Sequence, residues 1–139
     1  MKKLAYFAKG LWADRHLSQW ITTIMIMAHV GLGSIILATG VIRFTSPTYD
    51  PLVNFTQGNV WVWGVWITLS GILMSVPFRW PNMAGLWLGM FWHIIWMWCF
   101  TIAVVESPKA AATPIPMYGA AALICIALLT ARIIERNER

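Results

Sequence analysis

Residues 83–105 read MAGLWLGMFWHIIWMWCFTIAVV, an apolar run that holds no Asp, Glu, Lys or Arg and carries one histidine, His93, in its middle. A helix needs about 20 such residues to cross the roughly 30 Å of bilayer hydrocarbon, so this run is a membrane span. Gly85 and Gly89 form a GxxxG pair on it, and one further step of four reaches His93. That edge is small and weakly polar, as helix contacts in lipid are. Trp87, Phe91 and Trp98 lie mostly away from it and face lipid or a neighbouring subunit.

The whole chain has the same character. Of 139 residues 59% are hydrophobic and only 11% charged, whereas soluble domains carry about 25% charged residues. The net charge of +5 comes from basic residues set between apolar runs. Placed so, they are topology signals and not a nucleic-acid footprint, and no nucleic-acid partner is expected.

Working upstream, residues 60–76 form a shorter span with Trp61, Trp63 and Trp66 clustered at its start, where an aromatic belt belongs. Gly64, Thr68, Gly71 and Ser75 recur along one face and permit close backbone approach. The connection 77–82 holds two prolines and reads as a tight turn, making spans two and three an antiparallel hairpin. The first span, 21–42, places Thr22, His29, Gly33, Ile36 and Gly40 near one face. Between these spans, residues 43–59 carry Pro47, Asp50, Pro51 and Gly58 and read as a turn region with no further helix. Downstream, the fourth span covers 115–134, with Pro116 tolerated in its first turn. Residues 1–19 put Leu4, Phe7, Ala8, Leu11 and Trp12 on one side of a short amphipathic helix lying in the headgroup region.

The sequence therefore predicts an all-α integral membrane protein. Residues 1–139 form a single membrane domain, with four transmembrane helices in an antiparallel bundle behind a short N-terminal amphipathic interfacial helix. In that topology eight of the ten basic residues, Lys2, Lys3, Lys9, Arg15, Arg79, Arg132, Arg136 and Arg139, share one side, against Arg43 and Lys109 on the other. The imbalance places the protein in the cytoplasmic membrane with both termini cytoplasmic.

His29 and His93 each stand eight or nine residues into their spans from that same side. At 1.5 Å of rise per residue both lie about 12 to 14 Å deep, near the midplane. Two imidazoles there can hydrogen-bond across the bundle, relay protons or ligate a b-type haem. A neutral histidine satisfied by one hydrogen bond needs nothing further, so helix pairing is the simplest reading and no cofactor is required. Haem b, held by His29 and His93, is the alternative; Arg15, Arg79 or Arg132 could then meet its propionates at the cytoplasmic surface.

Other chemistry finds no support. Ser34, Ser70 and Ser75 lack a nucleophile motif, every acid lies outside or at the end of a span, and Cys99 and Cys125 sit in apolar runs without metal spacing. No enzymatic activity is expected.

The short basic start, the closely packed spans with small faces, the brief loops and the charged tail RIIERNER together resemble the small multi-span membrane proteins of bacteriophages, holins among them. The resemblance covers the whole chain and implies a protein that accumulates in the cytoplasmic membrane, associates through its small faces and opens lesions that release or activate a cell-wall hydrolase. It brings no catalytic residues. Three readings follow: a self-associating, holin-like membrane protein; a b-haem or quinone-associated electron-transfer subunit using His29 and His93; and an accessory subunit packed against a larger membrane complex. The bilayer is a partner in all three. The small residues Gly33, Gly64, Thr68, Gly71, Ser75, Gly85 and Gly89 are the candidate helix contacts.

Overall fold

The computed structural model describes residues 6, 15–40 and 44–137. Most of the interfacial helix expected over 1–19 lies outside the described residues; from Arg15 onward the chain already belongs to the first long helix. The elements in order are α1 (Arg15–Thr39), α2 (Asp50–Phe55), α3 (Trp61–Ser75), α4 (Arg79–Glu106) and α5 (Pro114–Asn137). Helix makes up 85% of the structure, and among the described residues there is no strand.

Among the described residues three helical stretches are long and apolar enough to cross a membrane: Leu17–Thr39, Arg79–Glu106 and Pro114–Ile134. The protein is thus an all-helical bundle of membrane-spanning character. α3 is shorter, with 15 residues, or about 22 Å at 1.5 Å per residue, against a hydrocarbon core of roughly 30 Å.

α1 packs on α3, α3 on α4, and α4 on α5. Each pair is antiparallel, because partners rise in number along one helix as they fall along the next. Between α3 and α4 the sequence of contacts is direct: Trp92 Nε1 donates to Trp63 O, Trp66 Nε1 to Leu88 O, Ser70 Oγ to Gly85 O, and Asn82 Nδ2 to Met74 O. Heptad-like spacing explains α1, which buries Ser18, Thr22, Met25, His29, Gly33 and Ile36, while the residues between are half-buried, as Ile21, Ile26, Val30 and Leu32 are, or exposed. α1 stops at Gly40, whose φ of +54° is the left-handed conformation that ends helices and suits glycine.

Two boundaries differ from the sequence reading. α4 begins at Arg79, inside the expected 77–82 turn. Pro81 falls in the first helical turn, where its missing N–H is not needed, so it does not delay the helix. Within 43–59, expected to be a turn region only, Pro47–Tyr49 forms a 3-10 turn capped by Ser46, and α2 follows directly. Phe44, Thr48 and Leu52 of this segment are buried, because it folds down on α4: Phe44 meets Trp96, and Tyr49 meets Phe100. Thr48 Oγ1 also accepts from Ala111 N at 3.1 Å, tying this loop to the α4–α5 loop at the same end of the bundle.

Candidate functional site

The bundle brings His29 of α1 and His93 of α4 together. Their Nε2 atoms lie 2.9 Å apart, a hydrogen-bond distance, and both residues are buried, His29 to 2% exposure and His93 to 6%. Glycines make the approach possible. A Cβ on Gly89 would lie 2.7 Å from His29 Cε1 and 2.9 Å from Ser70 Oγ, and one on Gly71 would lie 3.1 Å from His29 Cβ. Only bare backbone leaves room for the imidazole.

Ser70 of α3 completes the arrangement. Its Oγ is 2.8 Å from Gly85 O and 3.3 Å from His29 Nδ1. A carbonyl can only accept, so the Ser70 hydroxyl proton goes to Gly85 O, and Ser70 Oγ is left to accept from His29 Nδ1–H. In the neutral ring His29 Nε2 is then a lone pair, and the single proton between the rings sits on His93 Nε2. The chain runs from His93 to His29 to Ser70 to Gly85 O, and every member but the last donates forward. It links α4, α1 and α3 through one set of bonds, and it leaves His93 Nδ1 as an unprotonated nitrogen without a partner.

The same geometry bears on haem. The Nε2 atoms face each other, as ligation by two histidines demands. However, two nitrogen–metal bonds of roughly 2 Å each set the nitrogens about 4 Å apart, and here the separation is 2.9 Å. To ligate haem the two nitrogens would have to part by at least about 1 Å, breaking the direct bond. The rings are also flanked closely, His93 by Trp92 at 5.2 Å and by Tyr118 at 5.7 Å between centroids.

The small residues are consumed inside the chain. A Cβ on Gly33 would run into Thr68 Oγ1 and the Gly64 carbonyl, one on Gly64 into Leu37, and one on Gly85 into the Met74 and Ser70 backbone. Ser75 is the exception. Expected on the packing stripe, it is exposed at the end of α3, and its Oγ donates to Ile72 O. The stripe breaks there because α3 is on its last turn.

The tryptophans also divide differently from the belt reading. Trp20, Trp61 and Trp80 are exposed, and so are Trp87, Phe91 and Trp98 on the outer side of α4. Trp63, Trp92 and Trp96 are instead core residues, at 0%, 0% and 3% exposure, joined with Phe44, Phe100 and Tyr118 in one aromatic layer. Sequence reasoning passed over Ser70 and Tyr118 as members of the site. A mid-span serine next to the glycine stripe was the available signal for Ser70; Tyr118, the fifth residue of α5, had none.

Among the described residues no group of three or more His, Cys, Asp or Glu is placed to hold a metal ion. No known protein family matches this chain, and the searches of curated proteins and of solved structures likewise give no match.

Proposed function

We propose that the chain is a four-span protein of the cytoplasmic membrane, with both termini cytoplasmic, that acts without enzymatic chemistry by associating with copies of itself and permeabilising the bilayer in the manner of a holin. The observation that favours self-association is the outer side of α1. Ala28, Gly31, Ser34 and Ala38 are all exposed there, and a Cβ on Gly31 would meet nothing within 4 Å. These small residues alternate with the exposed Ile24, Met27 and Ile35 on a side of α1 distinct from the one occupied by α3, and small residues are where helices approach one another in lipid. α3 completes the fourth crossing in this reading, its short length being matched by local thinning of the bilayer.

The inner glycines cannot test this reading, because changing Gly71 or Gly89 breaks the bundle itself. Gly31→Leu can. Induced expression of the native chain in a bacterium should collapse the membrane potential, and Gly31→Leu, inserted to the same level, should delay or abolish the collapse. Normal growth with the native protein abundant in the membrane overturns the proposal.

A further inference from the structure

Two of the buried polar atoms without a hydrogen-bond partner stand on the same face of α4: His93 Nδ1 and Trp96 Nε1. Both residues are more than nine-tenths buried, with exposures of 6% and 3%. They are of opposite sense. The indole nitrogen can only donate, and the forward-donating chain through His29, Ser70 and Gly85 makes His93 Nδ1 an acceptor.

An orphaned polar group in an apolar interior is costly, and the remedy here has a defined chemistry. Residues three apart on a helix are neighbours, with Cβ atoms about 5 to 6 Å apart. Both rings also abut one side chain of α5, the Tyr118 ring, at centroid distances of 5.7 Å from His93 and 5.3 Å from Trp96. One oxygen within about 3 Å of each nitrogen satisfies both, provided it carries a proton to give and a lone pair to receive.

We propose that His93 Nδ1 and Trp96 Nε1 form a binding site for a single hydroxyl group, which donates to His93 and accepts from Trp96. A carbonyl compound, which cannot donate, serves only Trp96; an amine of the ammonium type, which cannot accept, serves only His93. The hydroxyl belongs either to a water molecule or to a small apolar alcohol or phenol partitioned into the bilayer. The aromatic layer of Trp92, Trp96, Phe100 and Tyr118 around the site favours a guest with little polarity beyond that one group. His93 is the better acceptor for donating its own Nε2–H, since successive hydrogen bonds polarise one another. The carbonyl at the far end cannot pass a proton on, so the chain fixes the state of the site and is no conduit.

The test is nitrogen NMR of the native protein in lipid nanodiscs, labelled with ¹⁵N at histidine and tryptophan, with Trp96→Phe identifying the Trp96 indole. The expected result is an unprotonated His93 Nδ1 and a hydrogen-bonded Trp96 indole. Magnetisation transfer from that indole to a slowly exchanging water, unchanged by added butanol or phenol, assigns the hydroxyl to water. A saturable shift of both resonances with butanol or phenol assigns it to the lipid-soluble compound. In either case Trp96→Phe should shift His93 Nδ1 while leaving the His29 resonances nearly in place. A protonated His93 Nδ1, or a Trp96 indole that shows no hydrogen bond, no water transfer and no response to either compound, overturns the proposal.

Discussion

His29 and His93 share one proton between Nε2 atoms 2.9 Å apart, so two residues 64 positions apart in the chain hold α1 and α4 together directly. In lipid, interhelical hydrogen bonds are worth about 0.6 kcal/mol on average and up to roughly 1.7. A double-mutant cycle of His29→Ala and His93→Ala, followed by unfolding in bicelles or by steric trapping, should give a coupling within that range. Additivity of the two changes would show that the pair contributes nothing as a pair.

Ser70→Ala isolates the middle of the chain. The hydroxyl is replaced by a hydrogen and nothing larger is introduced, so the close α3–α4 contact survives while His29 Nδ1–H loses its acceptor. A buried donor left without a partner costs about 1 to 3 kcal/mol. Stability in bicelles should fall by about that much, more than for exposed Ser75→Ala, which is expected to change it by less than about 0.5 kcal/mol. The contrast checks that the loss comes from position and not from serine as such.

The two classes of glycine make opposite predictions. A Cβ at Gly85 would lie 2.6 Å from Met74 N and 2.7 Å from Ser70 O, backbone atoms that cannot give way. Gly85→Ala should therefore cost about 1 to 3 kcal/mol or prevent α3 and α4 from pairing. At Gly31 the space is open, so Gly31→Ala should not lower stability, and the bulkier Gly31→Leu should weaken association in crosslinking or single-molecule photobleaching. Parallel loss of folding at both sites would show that the outer face of α1 is not free.

These contrasts mark how far the sequence could be read. The three long apolar helices were legible because apolar length is local, and the facing histidines were legible because depth along a helix follows from residue count. Which contacts the glycines serve was not. Gly64, Thr68 and Gly71 form the same stripe whether it meets another copy or α1 of its own chain, and only the antiparallel packing of α1 on α3 decides it. Trp63 likewise stands at the start of its span, where a belt residue belongs. It is buried because the 44–59 segment folds inward, and Leu52 O accepts its indole proton at 3.2 Å. That fold depends on contacts with α4, far along the chain, and has no local signature beyond Pro47 and Pro51.

The histidine geometry makes a spectroscopic prediction. Because the direct bond must break and the nitrogens must part by about 1 Å for iron to enter, the protein purified after growth with ample haem should show no Soret band. A Soret band lost in both His29→Ala and His93→Ala would mean that α1 and α4 open readily, and it would favour the electron-transfer reading over permeabilisation.

The crossing by α3 can be tested from its two ends. Asn59 and Phe78 flank the helix and are both exposed, whereas the native Cys99 and Cys125 are buried and should react slowly with a membrane-impermeant maleimide. In the proposed topology of four spans and cytoplasmic termini, Asn59→Cys should be labelled in intact cells and Phe78→Cys only after the membrane is opened. A helix of 15 residues reaches only about 22 Å, so the outcome turns on whether the bilayer thins to meet it or α3 lies partly within one leaflet. Labelling of both cysteines from the same side would place α3 as a re-entrant segment, with three crossings instead of four, and would put the two termini on opposite sides of the membrane.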